Sequence, residues 1–138
     1  MATMYLTRRE VFSASHRLWN EALSDDQNYA LYGKCANPNG HGHNFVLEVT
    51  VAGPVKGESG FAVDFKNLKH IVRTEIIEKT DHKHLNYDVD FLKGTIPTAE
   101  NIARAFWHVL EARMGESKLY SIRLHETENN MVEYRGEE

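Results

Sequence analysis

His41-Gly-His43-Asn-Phe45-Val-Leu47-Glu-Val49-Thr-Val51-Ala-Gly53 decides the architecture. A β-strand turns alternate residues to opposite faces. Here the odd positions carry two imidazoles and then Phe45, Leu47, Val49 and Val51. The spacing predicts a strand over 41–53 with one apolar face and with His41 and His43 at the head of that face. Two imidazoles two residues apart can reach one ion, and neutral imidazole is the commonest protein metal ligand. Just upstream, Cys35-Ala-Asn-Pro-Asn-Gly40 holds the only cysteine of the chain. A thiolate near a bound metal is suited to act as base or nucleophile. Each feature alone has a plainer reading: a solvent-exposed start of a strand, and a small apolar cysteine. The loop position of Cys35 argues against a core role.

Residues 4–16 also alternate, with Phe12, Ala14 and His16 on one face. A catalytic zinc takes three protein ligands and leaves a position open for water or substrate. His16, ending this strand on its inward face, is the candidate third ligand beside His41 and His43. Three neutral imidazoles would leave zinc its full charge, which favours polarising a substrate oxygen. His70 and His108 sit within predicted helices and read as surface or core residues.

Residues 17–40 lack clean periodicity and read as a long loop, a length that in compact domains tends to be functional or disordered. A turn over 52–60 leads to a short strand, Phe61 to Asp64. Leu68, Ile71, Val72 and Ile76 recur at helical spacing in a helix from Lys66 to Lys79. A loop rich in His and Asp runs from Thr80 to Gly94. Pro97-Thr98 opens a second helix, with Thr98 as N-cap, Glu100 in the first turn and an apolar stripe of Ile102, Phe106, Val109, Leu110 and Met114. Strands follow at 118–126 and 131–135 around a Glu128-Asn129-Asn130 turn. The layout is α+β: a mostly antiparallel sheet with two helices on one face. The other face needs cover, and neighbouring subunits are one way to supply it.

Two further places carry acid–base chemistry. In Asp81-His82-Lys83-His84 a carboxylate can fix the tautomer of an imidazole and raise its basicity. The plainer reading is an Asp that caps a turn beside solvated histidines. Alternation puts Glu126 on the face of Tyr120, Ile122 and Leu124, where an unpaired carboxylate is costly. It either has a partner, such as the edge of a guanidine-like ring, or lies past the strand end in water.

The 138 residues suit one domain spanning 1–138, and 41% hydrophobic with 26% charged residues is ordinary for a globular chain. A net charge of −4 gives no basic field for nucleic acid. An anionic substrate would need a local cluster, for which Arg17, Lys34 and Lys83 are candidates, or they are solvated surface charges. One cysteine makes no intrachain disulfide and suits a reducing, cytoplasmic setting. The N-terminus carries no apolar signal-like segment, and no apolar run approaches the roughly 20 residues a membrane span needs, so no membrane association is expected.

In order along the chain come Phe-Ser-Ala-Ser-His16-Arg-Leu, Cys35-Ala-Asn-Pro-Asn-Gly-His41-Gly-His43-Asn, Asp81-His82-Lys83-His-Leu-Asn, Pro97-Thr98-Ala-Glu100-Asn, His-Glu126-Thr-Glu-Asn-Asn and Tyr134-Arg-Gly-Glu. Together these resemble the 6-pyruvoyltetrahydropterin synthase family, which includes 6-carboxytetrahydropterin synthase of queuosine biosynthesis. The resemblance implies the tunnelling fold (T-fold), read as a four-stranded antiparallel sheet with two helices on one face. In that fold the sheets of three subunits join into a barrel and two trimers stack as a homohexamer. It implies a Zn2+ site of His16, His41 and His43, and Cys35 as base with Asp81 and His82 as relay. It further implies Glu126 as a catalytic residue that also anchors the pterin ring edge. Thr98 and Glu100 match a segment near the substrate, although helix capping explains them equally well. The implied reaction is loss of triphosphate from 7,8-dihydroneopterin triphosphate to give the 6-pyruvoyl product, at sites shared between subunits. The alternatives are the 6-carboxy reaction on the same substrate and a non-catalytic zinc- and pterin-binding T-fold protein, which Cys35 as a fourth metal ligand would favour. The five residues between Cys35 and His41 resemble the 6-pyruvoyl branch. Thr80, Phe45 and His125 depart mildly from the family pattern.

Overall fold

A computed structural model describes residues 2–138. β1 (Thr3–His16) and β2 (His41–Pro54) form a long antiparallel pair, with Phe12 opposite Phe45 and His16 opposite His41. β4 (Lys118–His125) adds to β2, and β5 (Met131–Tyr134) adds to β4, both antiparallel. The two-residue β3 (Lys83–His84) pairs in parallel with the end of β1, giving the sheet order β3-β1-β2-β4-β5. The sheet is therefore five-stranded and mixed, where four antiparallel strands were expected. The difference is β3, a two-residue polar segment without an alternating pattern to betray it.

One face of the sheet is the core. Phe12, Phe45, Leu47, Val49, Val51, Ile122 and Leu124 are essentially inaccessible there. Against them lie α2 (Phe65–Val72), a π-helical turn (Arg73–Ile77), α3 (Glu78–Thr80) and α4 (Ala99–Glu111). Leu68, Val72, Ile76, Ile102, Phe106 and Leu110 are the inward stripes of these segments. Fully burying one such side chain stabilises by about 1.5–3 kcal/mol, so the apolar periodicity sets both helix faces. Thr98 caps α4 as expected, its hydroxyl accepting from Asn101 N–H at 3.2 Å.

Three expectations change. Residues 61–64 form bends, not a strand, and Asp64 caps α2 by accepting from Lys66 N–H. Residues 17–40 contain α1 (Asp25–Tyr32), opened by a capping box in which Ser24 and Gln27 exchange hydrogen bonds. The only buried residue of α1 is Asn28, so no apolar stripe marks it. The side chain of Asn28 instead accepts from Asn20 N–H and donates to the carbonyls of Asn20 and Ser24. Tyr120 leaves the core face because the β2–β4 register shifts between Thr50 and Val51. Leu119 turns inward in its place, and Tyr120 stacks edge-on to Tyr5 on the helix-free face. That face also carries Thr7 bonded to Thr50 and His125 bonded to Glu48, each at 2.7 Å. No helix among the described residues is long and apolar enough to cross a membrane.

Candidate active site

The register of β1 on β2 builds the site. Because His16 pairs with His41 across the strands, and His43 lies two residues along the same face, three imidazoles meet at one end of the core. Their ring centroids are 4.6–5.1 Å apart, and each ring offers a ligand atom within 4.8 Å of the others. Phe45 lies beneath His16 and His43 as an apolar floor. His16 is fully buried and donates from Nδ1 to the carbonyl of Pro97 at 2.8 Å. That bond orients the ring and leaves Nε2 with its lone pair, the arrangement expected of a metal-bound histidine.

Burial pushes the pKa of His16 down from 6.5 to about 4, with repulsion from His41, His43 and His84 adding to it against the pull of the Pro97 carbonyl. His41 is lowered too, by burial first and by His43 next, while Glu126 pulls the other way. Both rings are thus neutral at pH 7, the state a metal needs. Nε2 of His16, Nδ1 of His41 and Nε2 of His43 are buried with no hydrogen-bond partner among the described residues. Native chains rarely leave such atoms unpaired, and a divalent cation would satisfy them. The donor set of three imidazoles and the tight convergence fit a catalytic metal with an open position. Cys35 is not part of the cluster.

Glu126 stands just past the end of β4, where its N–H donates to Asn130 carbonyl. Its two carboxylate oxygens lie 3.9 Å from Nε2 of His16 and Nε2 of His43. Both open readings hold in part: the residue is beyond the strand, yet its side chain stays on the inward face. Beside it opens a cavity of about 330 Å³ lined by Leu18, Tyr32, Thr98, Glu100, Glu126 and Val132 among others. A site of this size suits a small heterocycle.

The family model for 6-pyruvoyl tetrahydropterin synthase matches residues 5–137. The chain belongs to this family. A Dictyostelium discoideum relative named 6-pyruvoyl tetrahydrobiopterin synthase is 47% identical over 135 residues, which is 98% of each chain. An Aquifex aeolicus relative named 6-carboxy-5,6,7,8-tetrahydropterin synthase is 30% identical, over 91% of this chain and 94% of that one. The solved structure of Caenorhabditis elegans 6-pyruvoyl tetrahydropterin synthase superposes with a TM-score of 0.94 at 39% identity, over 99% of this chain and 98% of that one. The α+β tunnelling fold implied by the motifs is the fold observed.

Within one chain the expected residues fall into three groups. His16, His41 and His43 converge with Glu126; Thr98 and Glu100 line the adjoining cavity with Glu126. Asp81 and His82 sit elsewhere, at the sheet edge beside β3. Asp81 accepts from Ser13 N–H at 2.9 Å, His82 N–H donates to Ser13 carbonyl at 2.6 Å, and Asp81 Oδ2 meets His82 Nδ1 at 3.0 Å. The Ser13 N–H, and after it His82, hold the Asp81 carboxyl below its ordinary range. His82 has φ of 60° and an imidazole 82% exposed. A non-glycine residue in that region costs on the order of 1–3 kcal/mol, and the two Ser13 hydrogen bonds enforce it. Cys35 lies partly exposed in the 3₁₀ turn Gly33–Ala36, its carbonyl accepting from Leu18 N–H at 2.8 Å.

Only part of the cavity wall is marked in the sequence. Tyr32 comes from the segment expected to be a loop and has no periodic or motif context. Leu18 and Asn130 fall in the family motifs and Met131 and Val132 in β5, but nothing in those patterns marks them as cavity-lining. His84 was likewise not singled out. Gly40 has φ of +75°, and a Cβ there would lie 2.9 Å from His16 carbonyl and 3.1 Å from His84 Nε2. The glycine just before His41 is thus required by the close packing of the strand ends that carry His16 and His41.

Proposed function

We propose that the protein is a zinc-dependent lyase that converts 7,8-dihydroneopterin triphosphate to 6-pyruvoyltetrahydropterin with release of triphosphate. The observation that carries this reading is the convergence of three unpartnered imidazoles with Glu126 at the mouth of the Thr98–Glu100 cavity. Family membership supports it, and so does the greater similarity to the relative named for the 6-pyruvoyl product than to the one named for the 6-carboxy product.

Zinc held by His16, His41 and His43 would supply Lewis-acid polarisation of the substrate side-chain oxygens, acidifying the neighbouring C–H. The Cys35 thiolate takes that proton. Asp81 and His82 relay it, and Glu126, beside the ligand rings, hydrogen-bonds the substrate and steadies the charge that develops. Thr98 and Glu100 contact the pterin in the cavity. One pair of side-chain electrons passes into the ring, which takes up protons at its imine nitrogen and carbon as the first side-chain carbon becomes a ketone. Deprotonation of the second side-chain carbon then expels triphosphate, and the resulting enol takes up a proton at the terminal carbon to give the second ketone, so no outside reductant is needed. A positioned base typically contributes about 10²–10⁴-fold in rate.

The exposure of His82 at a sheet edge supports a site completed between subunits, and the exposed Tyr5, Val11 and Tyr120 of the helix-free face support its burial in a homohexamer. The lone free thiol suits a cytoplasmic location. The test is to incubate zinc-loaded protein with 7,8-dihydroneopterin triphosphate and identify products by mass spectrometry. A pyruvoyl side chain with free triphosphate supports the proposal. A 6-carboxy product moves the protein to the other branch, and no turnover sinks both.

A further inference from the structure

The geometry points to Arg17 as a positioning residue that ties the thiol loop to the metal strand, not as a ligand for the substrate phosphates. This rests on the reading of Cys35 as the base. Arg17 directly follows the ligand His16. Its guanidinium carbon lies 3.9 Å from the centroid of the Trp19 ring, and its Nε donates to the carbonyl of Ala36 at 2.9 Å. The next residue, Leu18, donates its N–H to the carbonyl of Cys35 at 2.8 Å. Two successive groups of the segment after His16 therefore hold two successive carbonyls of the turn that bears the thiol.

The other side of the segment is clamped as well. The Asn86 side chain accepts from Arg17 N–H and donates to Arg17 carbonyl, both at 2.8 Å. Asn86 thus closes the β1 edge one step beyond β3, where Leu85 N–H already donates to Ser15 carbonyl. Residues 16–18 form a strut: fixed by Asn86, carrying the ligand His16, and gripping the backbone of Cys35 and Ala36. The turn that bears Cys35 is otherwise a short 3₁₀ piece followed by Asn-Pro-Asn-Gly, with little of its own to fix its distance from the metal.

Arginine suits this task better than lysine. A planar guanidinium stacks on an indole while donating in its own plane, and an ammonium does not. The cavity of about 380 Å³ that Arg17 borders offers little to a triphosphate, since Arg17 is its only lining cation and Glu21 also lines it.

The test uses Arg17→Gln and Arg17→Lys in the zinc-loaded protein. Four quantities are read: zinc content, KM and kcat with 7,8-dihydroneopterin triphosphate, and amide hydrogen exchange over residues 33–37. The strut predicts retained zinc, KM within about twofold, kcat reduced on the order of 10²-fold by misplacement of the base, and faster exchange confined to 33–37. Lysine does not rescue. Trp19→Ala shares the phenotype and Trp19→Phe largely avoids it, which carries the test if the Arg17 variants fail to fold. A raised KM with unchanged kcat would make Arg17 a phosphate ligand; lost zinc would make it a support of the metal strand alone; unchanged exchange would remove the strut. Each overturns the inference. The exchange readout needs no turnover, so it separates a failure of the strut from a failure of the proposed reaction.

Discussion

The carboxylate of Glu126 lies 3.9 Å from Nε2 of His16, one residue beyond the strand that delivers it and within reach of whatever occupies the imidazole cluster. A negative charge there offsets the cation the cluster would hold and stays available to substrate. Its side chain is 26% exposed, so it contributes little to the core. Glu126→Gln is expected to cut turnover by at least about tenfold while shifting unfolding free energy by less than about 1 kcal/mol. Steady-state kinetics beside urea unfolding checks this. A stability loss that accounts for the whole activity loss would make Glu126 a structural carboxylate.

Cys35→Ala should abolish turnover while zinc content and thermal midpoint stay near those of the parent, because Cys35 is outside the imidazole cluster and its bond to Leu18 N–H is made by its backbone carbonyl, which alanine keeps. Metal analysis alongside product assay measures both. Loss of zinc in this variant would place the thiol on the metal and favour a closed, structural site.

Gly40→Ala tests the packing that brings His41 to His16. The substitution forces a side chain into the left-handed region, against the carbonyl of His16 and the ring of His84. The expected cost is about 1–3 kcal/mol of stability, together with weakened zinc binding. Isothermal titration with zinc reads the second effect. Parent-like affinity would show that the turn relaxes without moving the ligands.

The metal-free protein should be acid-sensitive in a defined window. Folding lowers the pKa of His16 from 6.5 to about 4, chiefly by burial. Between those values the unfolded chain binds more protons than the folded one, so stability is full above about pH 6.5 and falls as pH drops toward 4. Each pH step of one between the two values removes about 1.4 kcal/mol, and the whole window removes on the order of 3 kcal/mol. Asp81, whose pKa is lowered by Ser13 N–H first, adds a separate loss at lower pH still. Urea midpoints of chelator-treated protein at pH 7, 5.5 and 4.5 measure the first window, and a flat series would contradict it.

The three-imidazole cluster was legible in the sequence because strand alternation is a period of two: His16, His41 and His43 share a face with Phe12, Phe45 and Leu47. What alternation cannot supply is register, and it is the pairing of His16 with His41 that turns two strand faces into one site. α1 escaped because its inward residue is an asparagine satisfied by hydrogen bonds, so no apolar period exists to find. Tyr120 was placed on the wrong face because an extra residue in β4 reverses the alternation without any Gly or Pro to mark it. The Asp81–His82 pair was found, but its location at a sheet edge depends on the two-residue β3, which has no periodicity at all.

The proposed function rests on His16, His41 and His43 binding a zinc on which turnover depends. The direct measurement is triphosphate release from 7,8-dihydroneopterin triphosphate by chelator-stripped protein as zinc is added back, with His43→Ala in parallel. The expected result is no release from the stripped protein, recovery that saturates near one zinc per chain, and no recovery in His43→Ala. Undiminished release from metal-free protein, or zinc-restored activity in His43→Ala equal to the parent, would contradict it.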